Sequence, residues 1–289
     1  MNPTVSALLE LMQLESLEDN LFRGQSVDTG QGNIFGGLVA GQALAAASRT
    51  VVAERPVHSL HGYFLRPGDF NLPVIYEVDR IRDGKSFTTR RVKAIQHGRA
   101  IFSLSASFQE VEQGVEHQAT MPAVPKPDEL EPDEARRIAF AETLPAAVRH
   151  HFLAERPVEF RSIKPKAFDV TPQSPERLVW FRVANEVDVS LAMRRSLLTF
   201  CSDFGLMGTA MMPHGMSFFQ PNVQAASIDH AMWFHRDYRV GEWLLYATTS
   251  ASAQGGRGIN HGLIFTEDGR LVASVAQEGL MRLKAPAHG

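Results

Sequence analysis

One carboxylate stands apart from the other titratable side chains by its surroundings. Between Arg195 and Asp229 the only formally charged residue is Asp203. On a helix, its neighbours three and four positions away are Phe200, Leu206, Thr199 and Met207, a mostly apolar set. A carboxylate in such company is costly unless it is paired, hydrogen-bonded or protonated. Suitably held, it can accept a proton from a bound water as a general base. The dipeptide Ser202-Asp203 reads equally well as the cap of a helix starting there, or as an Asp turned outward between apolar neighbours.

The other chemistry-bearing residues form weaker constellations. His58 and His61 lie three apart and would face opposite sides of a shared strand, so they cannot chelate one metal. His150-His151 fall in a Pro-rich stretch and read as solvated. No Gly-x-Ser-x-Gly elbow is present, and Gly30-x-Gly32 lacks the third glycine of a dinucleotide fingerprint. There is no Walker loop and no His-Glu-x-x-His helix. The single Cys201 sits in an apolar run and reads as an inert core thiol. Arg66, Arg82, Lys85, Arg90, Arg91, Arg236 and Arg257 scatter through strand-like regions and read mostly as a solvated sheet edge. Neither a resident cofactor nor a metal site is expected.

Those residues must be positioned by a chain of 289 residues, with 29 basic and 32 acidic side chains and a net charge of −3. That length sustains a large core without disulfides, and one cysteine excludes an intramolecular disulfide. The near-balanced charge argues against a nucleic-acid-coating surface. Met1 to Leu14 lacks a basic start followed by a long apolar run, and the ending Ala287-His288-Gly289 is not a Ser-Lys-Leu address. No membrane span and a cytoplasmic location are therefore the expectation.

Nine of the sixteen prolines lie between Pro122 and Pro175, beside the acidic run Asp128 to Glu134. This composition resists strands and predicts a connector over residues 113–175 holding one short helix, Asp133 to Phe152. It separates residues 1–112 from 176–289, and the two parts read as copies. His61 to the Gly98-Arg99 turn spans 37 residues, and His230 to Gly269-Arg270 spans 39. Each copy opens with an apolar helix, Phe35 to Ala47 and Ser196 to Met212. Strand-like segments follow, separated by turns at Asp83-Gly84, His97-Gly98 and Asp268-Gly269. One long helix gripped by a curved antiparallel sheet, twice over, predicts an α+β double hot-dog fold with the two sheets paired edge to edge.

Several runs resemble one family. They are Leu21-Phe-Arg-Gly-Gln25, Phe35-Gly-Gly-x-Val-x-Gly-Gln-Ala-Leu44, His58-Ser-x-His61, Tyr63-Phe-Leu-Arg-Pro-Gly-Asp69, Ile228-Asp-His-x-Met-Trp-Phe-His-Arg236 and Val272-Ala-Ser-x-x-Gln277-Glu-Gly. Together, in this order and across nearly the whole chain, they resemble acyl-CoA thioesterase II of the TesB type. The resemblance implies a double hot-dog enzyme that hydrolyses acyl-CoA to free acid and CoA through an Asp, a Thr or Ser, and a Gln that hold a water. Carried across, these roles fall on Asp203, Ser227 and Gln277. The hydroxyl, commonly Thr in bacterial relatives, is Ser here. No covalent intermediate is implied.

Backbone N–H groups at a helix start could stabilise the oxyanion, and Gly36 and Gly37 are the candidates. In the repeat alignment His58 falls opposite Ser227 and Ala106 opposite Gln277, so one active site per chain is expected. Packing of Phe64, Leu65, Met207, Met211, Phe219 and Met232 would set acyl length. A hot-dog dehydratase would want a His five residues after the Asp, where Gly208 stands. The remaining alternatives are a non-catalytic acyl-CoA-binding protein and a structural oligomer component without ligand. A homodimer or homotetramer is the expected assembly.

Overall fold

The computed structural model of the protein describes residues 3–29, 32–143, 149, 153–164, 171–218 and 220–284. Among them, α1 (Pro3–Met12), β1 (Glu15–Glu18) and β2 (Leu21–Gly24) precede the first long helix, α2 (Gly36–Ser48). Four strands follow: β3 (Val57–Phe64), β4 (Val74–Asp83), β5 (Phe87–Gln96) and β6 (Arg99–Gln109). Then come α3 (Asp133–Glu142), β7 (Val158–Ser162), β8 (Glu176–Val183), α4 (Leu191–Ser202) and the short α5 (Gly208–Met211). The chain closes with β9 (Val223–Ser227), β10 (Asp229–Phe234), β11 (Leu244–Gln254), β12 (Arg257–Thr266) and β13 (Leu271–Leu283).

All strand pairs are antiparallel and form one sheet, ordered β1-β2-β4-β5-β6-β3-β10-β13-β12-β11-β8-β7, with β9 on β13. The β3–β10 pair, with Gly62 opposite His230 and His61 opposite Ala231, welds the halves together. Turn chemistry sets the registers. His97 and Gly98 both have positive φ (49° and 68°), as a tight hairpin between β5 and β6 requires. Gly255-Gly256 do the same between β11 and β12. This is the double hot-dog layout that the sequence predicts.

The small residues of α2 serve a closer contact than helix on sheet. A Cβ on Gly37 would lie 2.5 Å from the Phe200 carbonyl, and one on Gly41 would lie 2.9 Å from that of Ser196. The two long helices therefore pack backbone against backbone, with no room for a side chain between them. At one end of this contact Phe35, Phe200 and Phe204 interlock, with Phe35 stacked on Phe204 at 4.5 Å and edge-on to Phe200 at 5.4 Å.

Two expectations change. The second helix does not run from Ser196 to Met212. It spans Leu191–Ser202, N-capped by Ser190 Oγ, and stops where Gly205 enters the left-handed region at φ 72°. The connector holds a strand, β7, because Val158-Glu-Phe-Arg-Ser162 can pair with the β8 edge. The connector also lies on the outside of the sheet. Met121, Val124 and Leu130 pack against Trp180, Trp243, Leu245 and Phe265, and Trp180 Nε1 donates to the Pro125 carbonyl at 2.9 Å. The helix expected to reach Phe152 is described as far as Glu142; His150, His151 and Phe152 lie outside the described residues.

Candidate active site

The end of α4 sets the first element of the site. Asp203 is its C-cap, so the carboxylate stands at the helix terminus rather than along an apolar face. Its side chain is 7% exposed. The N-terminus of α2 meets it there: a Cβ on Gly36 would sit 2.9 Å from Asp203 Oδ2. The positive end of the α2 dipole thus faces the carboxylate. The leading N–H groups of that helix, those of Gly36 and Gly37, have no intrahelical acceptor.

The sheet supplies the rest. Gln277, in the middle of β13, is fully buried. Its Nε2 donates to Asp203 Oδ1 at 2.7 Å and stands 3.1 Å from His230 Nδ1. One step beyond the Ala231–Ala276 pair, His230 faces Gln277 across β10 and β13. His230 Nε2 lies 2.8 Å from Ser202 Oγ, which in turn donates to the Thr199 carbonyl at 2.8 Å. Burial lowers the His230 pKa, against the opposing pull of Asp203 and Asp229. Among the described residues, the buried Gln277 Oε1 has no hydrogen-bond partner. An unpaired acceptor beside a carboxylate is able to accept a hydrogen bond from a water.

Ser227 ends β9 opposite Gly279, two residues along β13 from Gln277. Residues two apart on a strand share a face, so Ser227 lies on the same side of the sheet as Gln277. Among the described residues its hydroxyl makes no hydrogen bond to Asp203 or Gln277. The structure therefore joins Asp203 and Gln277 directly and places Ser227 on the same face of the sheet, opposite a residue two positions along β13 from Gln277. Asn260, buried on β12, accepts from Ala210 N–H at 2.8 Å and pairs with Gln277 across the strands, tying α5 to the site. The burial of Cys201 raises its thiol pKa and leaves it unreactive.

The two copies align differently from the sequence matching. Leu65 and Arg66 N–H both reach the Ile101 carbonyl, and His235 and Arg236 N–H both reach that of Val272. Phe64 thus corresponds to Phe234 and Arg66 to Arg236, an offset of 170, where matching His61 to His230 gives 169. One residue of slip changes the face of every side chain: His61 is exposed, whereas His230 is buried. The equivalent of His230 is Leu60, and that of Ser227 is Val57 rather than His58. Gln277 does correspond to Ala106, since Leu60 pairs with Ala106.

The counterpart of Asn260 is Arg90, which pairs with Ala106 as Asn260 pairs with Gln277. Arg90 is 1% exposed. Its guanidinium donates to the Thr50 hydroxyl and carbonyl, the Arg82 and Thr89 carbonyls, and Asp83. It fills the place where the first copy would hold a site. A cavity of about 290 Å³ opens beside it, lined by Arg55, Arg80 and Arg90 among others. With Arg90 and Arg55 already bonded to the protein, this recess carries none of the chemistry found at Asp203.

Sequence reasoning missed His230, Asn260 and Arg90 as site-forming residues. The signal for His230 was present in the run Ile228-Asp-His, but the slipped repeat alignment equated it with exposed His61. Of the residues expected to shape an acyl pocket, Met207, Met211 and Met232 are buried, while Leu65 is exposed. Phe219 lies outside the described residues.

Known proteins resemble this chain over nearly its whole length. Residues 147–280 match the acyl-CoA thioesterase family, and residues 25–109 match the acyl-CoA thioesterase N-terminal domain. The chain is 41% identical to acyl-CoA thioesterase 2 of Haemophilus influenzae, covering 98% of this chain and 99% of that one. It is 38% identical to human acyl-coenzyme A thioesterase 8, covering 95% and 88%. The crystal structure of the acyl-CoA thioesterase II TesB2 from Mycobacterium marinum superposes with a TM-score of 0.78 at 41% identity, over 98% of this chain and 99% of that chain. A hot-dog protein from Alicyclobacillus acidocaldarius, at 20% identity and a TM-score of 0.77, shares the fold. This chain belongs to the TesB-type acyl-CoA thioesterase II family of thioester hydrolases.

Proposed function

We propose that the protein hydrolyses fatty acyl-CoA to free fatty acid and CoA by direct attack of a water held between Asp203, Gln277 and Ser227. The observation that carries this reading is the 2.7 Å bond from Gln277 Nε2 to Asp203 Oδ1, which leaves the buried Gln277 Oε1 as an open acceptor. A water there can give one hydrogen bond to Gln277 Oε1 and one to the carboxylate, with the Ser227 hydroxyl adjacent. As its oxygen attacks the thioester carbonyl, its proton passes to Asp203. The C–S bond of the resulting oxyanion then breaks, and the proton leaves with the CoA sulfur as thiol. The water's position is set before the reaction, so little entropy is lost at the barrier. The N–H groups of Gly36 and Gly37 are assigned to the oxyanion, at the positive end of α2.

The catalytic residues belong to the C-terminal copy, residues 176–289. The N-terminal copy, residues 1–112, serves as scaffold and contributes the start of α2, and residues 113–175 connect them. Arg90 in place of Asn260, and Ala106 in place of Gln277, support a single site per chain. The protein acts in the cytoplasm as a homodimer or homotetramer, which sedimentation velocity tests.

The test of the reaction is release of free CoA thiol from saturated acyl-CoAs of graded length, with wild type and Asp203→Asn. Turnover by wild type that collapses in the folded variant supports the reading. Binding of acyl-CoA without turnover at any length would replace it with a non-catalytic acyl-CoA-binding protein.

A further inference from the structure

The hydrogen bonds behind Gln277 have a fixed direction. The Thr199 carbonyl can only accept, so the Ser202 hydroxyl proton is committed to it. The Ser202 oxygen is then the acceptor for His230 Nε2, 2.8 Å away. His230 therefore carries its proton on Nε2 and turns a lone pair at Nδ1 toward Gln277 Nε2, 3.1 Å away. Burial, which lowers the pKa of this ring, keeps it neutral.

The consequence falls on the Gln277 carboxamide. Its two amide hydrogens go to Asp203 Oδ1 and His230 Nδ1, and Oε1 is left without a partner. Turned over, the amide would press Oε1 against a carboxylate oxygen and an imidazole lone pair, two acceptors facing a third. It would also point N–H at the water. A water that accepts a hydrogen bond through its oxygen has less electron density to offer a carbonyl.

We propose that His230 is a positioning residue for thioester hydrolysis, selecting the one orientation of the Gln277 carboxamide that presents an acceptor to the attacking water. This rests on the reading that Asp203 and Gln277 hold that water. The first copy, with Leu60 and Ala106 at the corresponding places, has neither the ring nor the amide.

The test measures CoA release and thermal unfolding for the full chain carrying His230→Phe, His230→Asn, Ser202→Ala or Asp203→Asn. His230→Phe keeps an aromatic ring but removes the Nδ1 acceptor. It is expected to lower kcat roughly 10- to 100-fold with KM changed less than about threefold. His230→Asn can set its Oδ1 near the lost Nδ1 and is expected to recover at least about half of the wild-type kcat. Ser202→Ala frees the ring to adopt the other tautomer. It is expected to lower kcat in the same direction, and it decides the matter if His230→Phe fails to fold. A purely structural role predicts no rescue by Asn, and that result overturns the proposal. So does a folded His230→Phe or Ser202→Ala enzyme with wild-type kcat while Asp203→Asn is inactive. Full activity in Asp203→Asn would instead overturn the reading of the site itself, and this proposal with it.

Discussion

Gln277 Nε2 stands 2.7 Å from Asp203 Oδ1, although 74 residues separate them in the chain. A helix end and the middle of the last strand are brought together by the wrapping of the sheet. Losing the carboxylate should therefore cost chemistry rather than folding. Asp203→Asn is expected to lower kcat by about 100-fold or more with KM little changed. The check is steady-state CoA release beside circular dichroism, and a variant retaining wild-type kcat would remove Asp203 from the mechanism.

The closeness of the two long helices gives a second expectation. Alanine at Gly37 would set a methyl 2.5 Å from the Phe200 carbonyl, a backbone atom that can yield only if a helix moves. Gly37→Ala should cost about 1–3 kcal/mol. At Gly36 the nearest atoms are Asp203 Oδ2 and the Phe64 ring. Gly36→Ala should therefore depress kcat more than it depresses the unfolding midpoint. Urea titrations and kinetics on both variants separate the two effects.

Desolvated imidazoles set an acid limit to stability. Burial lowers the pKa of the enclosed His230 and the half-buried His58 below the ordinary value of 6.5, and partial desolvation together with Arg236 does so for the more exposed His235. The unfolded chain therefore takes up protons at these positions at a higher pH than the folded one. Their neutral state costs nothing above about pH 6.5, and stability is lost as pH falls from there through the lower folded values. Denaturant midpoints should drop between pH 7.5 and pH 5, and His230→Asn should flatten part of that slope. An unchanged slope in the variant would mean that other groups drive it.

Cys201 offers a check on the proposed direct attack by water. Its thiol is enclosed in the core, and burial holds it in the neutral form. Cys201→Ala should keep kcat within about threefold. A thiol reagent should label the wild type only when the chain opens. Rapid labelling with loss of activity in the folded enzyme would contradict this.

The plug in the first copy is structural. Arg90 makes five hydrogen bonds while nearly sealed from water. Arg90→Ala leaves Thr50 and the Arg82 and Thr89 carbonyls without their donor, and should destabilise by about 3 kcal/mol or more. At temperatures where the variant remains folded, kcat should match wild type. Calorimetry and CoA release together test this.

The alternation of Val, Ile, Phe and Thr, the His97-Gly98 turn and the small-residue run from Phe35 determined the elements and their doubling. These signals are local, carried by neighbours within a few positions. The apolar surroundings of Asp203 fit a helix cap as well as a functional carboxylate, and the roles of Asp203, Ser227 and Gln277 came from the family resemblance alone. Where α4 stops is marked by the left-handed Gly205, next to Phe204, which stacks on Phe35 at the α2 contact.

Tertiary structure also decided that His230 faces inward and His61 outward. The two histidines match in sequence, and a register differing by one residue across β3 and β10 reverses their faces. The Asp203–Gln277–His230–Ser202 chain of hydrogen bonds has no signature in spacing. Its members come from a helix end and two strands, and only the tertiary fold puts each within 3.1 Å of the next.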